Sequence, residues 1–147
     1  MRTEPIEAVV NRWHAYLGGE LEGGLDELLD DDVVFYSPVV YTPQVGKQIA
    51  ALYLTAARQT FPGDSKTEGS AVEGSFRYTK QVLDGDTAVL EFETTMDSIY
   101  VNGVDIIRCN ADGRIIEFRV MVRPLKAVDV VRQRMLAMLE SMAPQAD

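Results

Sequence analysis

Asp105 stands in an alternating stretch whose odd positions are Ile99, Val101, Ile107 and Cys109 and whose even positions include Asn102, Arg108 and Asn110. Residues two apart in a strand share a face, so this carboxyl group is directed toward hydrocarbon. A charged carboxylate left there without partners costs several kcal/mol, so it must be hydrogen-bonded or keep its proton to an unusually high pH. A proton-poised carboxyl suits general acid or base work. The plainer alternative is a structural Asp satisfied by backbone amides, a tyrosine hydroxyl or a nearby bulge.

Other chemistry-bearing residues are few. His14, the single histidine, sits at the edge of an apolar helical stripe, where it is either a proton carrier for a pocket or a structural residue. Tyr53 lies on the apolar side of another helix and either offers its hydroxyl to a cavity or packs as a core aromatic. Trp13 reads as a pocket wall, Ser37 before Pro38 as a strand terminator, and Cys109 as a small buried hydrophobe with no histidine beside it. One cysteine and one histidine leave no internal disulfide and none of the usual Cys/His metal frameworks, and no cofactor is implied.

The elements that must position these groups follow from periodicity. A helix is expected from about Glu4 to Leu17, with Ile6, Val9, Val10, Trp13 and Leu17 on one stripe and Gly18-Gly19 as its stop. A short helix with Leu25, Leu28 and Leu29 precedes a brief strand, Val33 to Tyr36. A third helix, roughly Lys47 to Thr60, places Ile49, Leu52, Tyr53 and Ala56 on one side and ends at Pro62-Gly63-Asp64. From about Val72 to Arg123 the period becomes two, giving long antiparallel strands. Ala88, Leu90, Phe92 and Met96 share the inward face of one of them.

Asn110-Ala111-Asp112-Gly113 is a hairpin turn, and a two-residue loop there pairs odd positions with even ones. That places Ile116, Phe118, Val120 and Val122 inward and sets Asp105 across from Phe118 or Val120. Val104, Ile106, Ile115 and Met121 would then make the outer face unusually apolar, to be covered by a sheet-to-sheet homodimer, the preferred reading, or by a helix of the same chain. A last helix, about Lys126 to Ser141, carries Val128, Val131, Met135, Met138, Leu139 and Met142 and either closes over the body or meets a partner. The expected fold is α+β: a cone-shaped, curved antiparallel sheet with N-terminal helices enclosing an apolar pocket, plus a C-terminal helix, in one domain spanning residues 1–147.

Acidic residues outnumber basic ones 23 to 14, for a formal charge of -9, which repels nucleic acid and anionic membrane. No run approaches the roughly 20 apolar residues of a membrane span, and Met1-Arg2-Thr3-Glu4-Pro5 leads into an amphipathic segment without a signal-peptide core, so a cytoplasmic location is expected.

The element order resembles the nuclear transport factor 2-like superfamily, which includes SnoaL-like cyclases, ketosteroid isomerases, limonene epoxide hydrolases and scytalone dehydratases. The resemblance covers roughly Ile6 to Leu125 and rests on the run Gly46 to Tyr53, on Val104-Asp105-Ile106-Ile107-Arg108, on Asp112-Gly113-Arg114-Ile115 and on Arg123-Pro124-Leu125. It implies that Asp105 occupies the place of the isomerases' protonated oxyanion-hole acid and Tyr53 that of a tyrosine in its supporting network. The isomerases' general base falls at Ser37, their oxyanion tyrosine at Trp13, and the acid of the epoxide hydrolases at Val120; the cavity histidines of the dehydratases have only His14 as a counterpart. Such a fold hosts enzymes, binding proteins and adaptors. One expectation is a pocket protein in which Asp105 and Tyr53 orient a small apolar oxygenated molecule between walls of Trp13, Phe92, Phe118 and Val120, with Ser37 as a further ligand-binding position. A second is a cofactor-independent isomerase, cyclase or dehydratase, with protonated Asp105 donating to a developing oxyanion while His14 moves a proton. A third is a dimeric protein-binding adaptor.

Overall fold

The computed structural model describes residues 4–60 and 76–142; the proposed helix stop at Pro62-Gly63-Asp64 and the strand start near Val72 lie outside them. Helix α1 (Pro5–Leu17) begins on a proline, whose missing N–H costs nothing in a first turn, and buries Ile6, Val9, Val10, Trp13 and Tyr16. Its two ends are pinned to two hairpin turns. Near the start, Ile6 N–H donates to the Gly85 carbonyl at 3.2 Å and Gly85 N–H donates to Glu4 Oε2 at 2.8 Å. Near the end, the Arg12 guanidinium donates to the carbonyls of Gly113 (3.0 Å) and Glu27 (3.2 Å). Trp13 is therefore held in a fixed place over the sheet.

Short helix α2 (Gly24–Leu28) runs directly into β1 (Leu29–Tyr36), a longer strand than its apolar run suggested, and β2 (Gln44–Val45) follows. Helix α3 (Lys47–Thr60) leads to β3 (Arg77–Asp84), β4 (Thr87–Met96), β5 (Ile99–Cys109), β6 (Ile115–Arg123) and helix α4 (Leu125–Met142). The sheet order is β2-β1-β6-β5-β4-β3. All neighbours are antiparallel except β1 and β6, which run parallel, so the curved sheet is mixed. On α3 the buried residues are Ala50, Leu54 and Ala56, and Tyr53 turns inward as expected, while Leu52, expected on the same side, is exposed.

The β5–β6 turn differs from the two-residue loop expected. Asn110 pairs with Arg114 (N···O 2.9 Å) around three loop residues, with Gly113 at φ +78° and Asn110 Oδ1 accepting from the N–H groups of Asp112 and Arg114. Pairing at Cys109↔Ile115 therefore has the opposite parity, and a register shift between Arg108 and Cys109 restores Arg108↔Glu117 and Asp105↔Val120. One consequence is that Ile115 is fully buried rather than on the outer face, and Ile116 is only half-buried.

Two apolar clusters fill the inner face. One joins α1, α2, β1 and α3 to the Leu90, Ile107 and Ile115 region, and the other seats Ala127, Val130 and Val131 of α4 on Phe92, Met96 and Val101. Tyr78 and Val120 pack at the margin of both. Between the clusters, Phe92 lies over Gly103, where an added Cβ would stand 2.4 Å from the ring and 2.5 Å from the Met121 carbonyl oxygen. Gly103→Ala is accordingly expected to cost about 1–3 kcal/mol through overpacking, read as a lower urea midpoint; an unchanged midpoint would mean that the Phe92 ring is free to move aside.

Candidate functional site

Between the two clusters lies a cavity of about 880 Å³. Every residue named from sequence as catalytic or ligand-binding lines it: Trp13, His14, Ser37, Tyr53, Phe92, Asp105, Phe118 and Val120. The walls are aromatic. Trp13 stacks on Tyr16 at 5.4 Å between ring centroids and tilts against Phe118 at 4.9 Å, while Phe35 meets Tyr53 at 5.5 Å.

Asp105 points inward from the middle of β5 and is 6% exposed. Its Oδ2 accepts a hydrogen bond from the Tyr78 hydroxyl at 2.6 Å, and that hydroxyl accepts one from the Trp13 indole N–H at 2.8 Å. The three groups form a short directed chain from α1 through β3 to β5. Removal from water pushes the Asp105 carboxyl up to about 7, against the opposing pull of the Tyr78 bond. The Tyr78 hydroxyl is raised well above its ordinary value, first by burial and then by the nearby Asp105 charge, so it stays a donor. Among the described residues Oδ1 has no hydrogen-bond partner. In the acid form Oδ1 is therefore free to donate to a guest, and in the anionic form to accept from one.

The remaining expected residues are more loosely engaged. Tyr53 packs on Phe35 and its hydroxyl has no bond to Asp105 or to any other described residue, so the supporting tyrosine is Tyr78 instead. His14 is exposed at the rim, with Nε2 3.1 Å from Gln81 Oε1 and its ring edge-on to Tyr78 at 5.4 Å. Ser37 Oγ accepts from the N–H groups of Val39 (3.0 Å) and Val40 (3.2 Å), fixing the turn after β1. Cys109 is buried, and burial followed by the Asp86 charge pushes its thiol up, which leaves it a poor nucleophile. No group of three or more His, Cys, Asp or Glu side chains among the described residues is placed to hold a metal ion, and no described helix is long and apolar enough to cross a membrane.

Tyr78 is the residue that sequence reasoning missed. A two-residue turn at Gly85-Asp86 sets Gln81↔Leu90 and Lys80↔Glu91, a parity under which Thr79 would face Phe92. A register shift between Tyr78 and Lys80 brings Tyr78 opposite Phe92 instead, onto the inner face. The second omission is the mouth, where Arg58 of α3 and Arg132, Met135, Leu136 and Leu139 of α4 line the cavity.

The model of the SnoaL-like domain matches residues 9–118. Among solved structures, a steroid delta-isomerase from Pseudomonas aeruginosa is 30% identical, with a TM-score of 0.81 over 94% of this chain and 93% of that one. An uncharacterised bacterial protein with a cystatin-like fold from Silicibacter pomeroyi is also 30% identical, with a TM-score of 0.71 over 88% and 83%. A putative ketosteroid isomerase from Kribbella flavida shares the fold at 21% identity, with a TM-score of 0.58 over 82% of this chain and 78% of that one. No curated protein sequence matches the chain.

The pH dependence of stability follows from the raised carboxyl. Folded Asp105 holds its proton up to about pH 7, whereas the unfolded chain releases it near 4, so between those limits the folded state binds more protons. Its contribution is complete below about pH 4 and is lost as pH rises toward 7, at up to about 1.4 kcal/mol per pH unit. Asp105→Asn keeps an acceptor for Tyr78 and cannot ionise, so its stability relative to the wild type should climb across this window. Urea titrations at several pH values check this, and parallel curves for the two proteins would show that the carboxyl is solvated. The inward aromatic walls, the fold and the two 30%-identical structures converge with the matched domain: the chain belongs to the SnoaL-like family of the nuclear transport factor 2-like superfamily.

Proposed function

We propose that the chain binds a small, mostly apolar molecule whose carbonyl or hydroxyl oxygen docks on Asp105. The observation that carries this reading is a buried carboxyl, fixed by Tyr78 and Trp13, whose Oδ1 is unengaged among the described residues, on the wall of a roomy aromatic cavity. An open interior of this kind favours a guest over a purely surface-acting adaptor, whose cone would be filled by its own side chains. Orientation comes from the polar end, and most of the affinity from burying the guest's hydrocarbon.

A second reading, proton-transfer catalysis of the isomerase, cyclase or dehydratase kind, is favoured by the carboxyl's pKa of about 7, which lets one group both give and take a proton near neutrality. The name of the steroid delta-isomerase relative is in keeping with it. Asp105 is then the acid that meets the developing oxyanion, and His14 or Tyr53 at the rim and wall would assist. Ser37 gives no general base, because its Oγ is engaged with the turn and a serine hydroxyl is not basic at neutral pH.

The outer sheet face exposes Val82, Tyr100 and Met121, each about half, and these apolar side chains support a homodimer through that face. Trp13 is the sole tryptophan and lies on the cavity wall, so its emission reports occupancy. Titration with neutral apolar ketones and alcohols should change that emission and raise the melting temperature, and Asp105→Leu should weaken binding about tenfold by removing a charge-assisted or strong neutral hydrogen bond. Binding that is indifferent to Asp105→Leu would leave the pocket purely hydrophobic and refute both the docking role and the catalytic one.

A further inference from the structure

The charges around the cavity are distributed against the composition of the chain. Acidic residues outnumber basic ones 23 to 14 overall, yet among the described residues the charged side chains on the cavity are Arg58, Arg77 and Arg132 against the carboxyl of Asp105. Arg77 is engaged with Glu93 at 3.4 Å. Arg58 has its guanidinium 5.0 Å above the ring of Tyr16, and it forms no ion pair with any described residue. Arg132 has neither an ion pair nor a hydrogen bond among the described residues. Two guanidinium groups without a counter-ion among the described residues thus border the cavity in a strongly acidic protein, one from α3 and one from α4, and both are exposed at its mouth.

Resting on the pocket reading above, we infer that the guest is an apolar carboxylic acid, with its carboxylate held at the mouth by Arg58 and Arg132 and an oxygen at its other end reaching Asp105. The planar fork of arginine suits a carboxylate, and because both side chains are exposed the pairing is open to screening by salt. The opposite polarity fails on charge: a cationic end at the mouth would be repelled by two arginines. A carboxylate placed at the deep end would meet Asp105, and where that acid is ionised the two like charges repel, so the negative end belongs at the mouth.

The test uses the full chain and Trp13 emission. The probes are 12-hydroxydodecanoic acid, which has an oxygen at both ends, and its methyl ester, titrated at pH 8 in low salt. The acid should bind at least about tenfold more tightly than the ester, as expected for a charge-assisted pair, and this ratio should shrink as salt is added. In the Arg58→Gln, Arg132→Gln double variant the ratio should fall to about one, whereas Lys126→Gln, which removes a charge from α4 away from the cavity, should keep it. Equal binding of acid and ester by the wild type, or a ratio that survives in the double variant, overturns this inference and leaves the pocket reading standing. Failure of both probes, together with the neutral ketones and alcohols, overturns the pocket reading itself and this inference with it.

Discussion

The hydrogen bond from the Tyr78 hydroxyl to the Asp105 carboxyl is the contact on which the interior depends. A carboxyl with almost no access to water is tolerable only when something polar meets it, and here one hydroxyl does so at 2.6 Å while itself receiving the Trp13 indole N–H. Three separate elements are tied by these two bonds, and each supplies one group that has no better partner. The arrangement also explains why the middle of the sheet is hollow. Closing the space with hydrocarbon would strand the second carboxyl oxygen, whereas leaving it open keeps that oxygen addressable by water or by a guest.

Much of this was legible in the sequence. Strict alternation along β4 and β5 fixed the inward face and singled out Asp105, and the helical stripe of α1 placed Trp13 against the sheet. Val120 was one of the two partners expected for Asp105, Phe118 being the other, but the route to it was inaccurate. The hairpin has three loop residues, and the displacement this introduces is cancelled within a few residues by the irregularity next to Cys109. Two departures from the simple pattern compensate each other at Asp105 and fail to do so at Ile115, which is why one residue was placed correctly and the other was not.

Tyr78 was illegible for a related reason. Counting back from the tight turn at Gly85-Asp86 assigns it to the outer surface, and only an extra residue in β3 rotates it inward. Nothing in alternation alone reveals such an insertion, so the partner that makes the buried acid tolerable was hidden although the acid itself was plain. Tyr53 shows the converse. Its position on α3 was correctly read as facing the interior, but the hydroxyl engages no described residue, because the role expected of it is taken from the opposite side of the sheet. The arginines of the mouth were missed because polar residues flanking a helical stripe look solvated until the neighbouring helix is in place.

Among the described residues β3 is an edge strand, with a neighbour on one side only. The tyrosine that steadies the acid is therefore mounted on an edge strand, and local opening there would wet the carboxyl and favour its anion. Proton release from Asp105 and fraying of this border strand are consequently two sides of one equilibrium. As the solution becomes more alkaline, amide hydrogens of β3 should trade with solvent sooner than those of β5, so that the protein's acid–base state is written into the breathing of its margin.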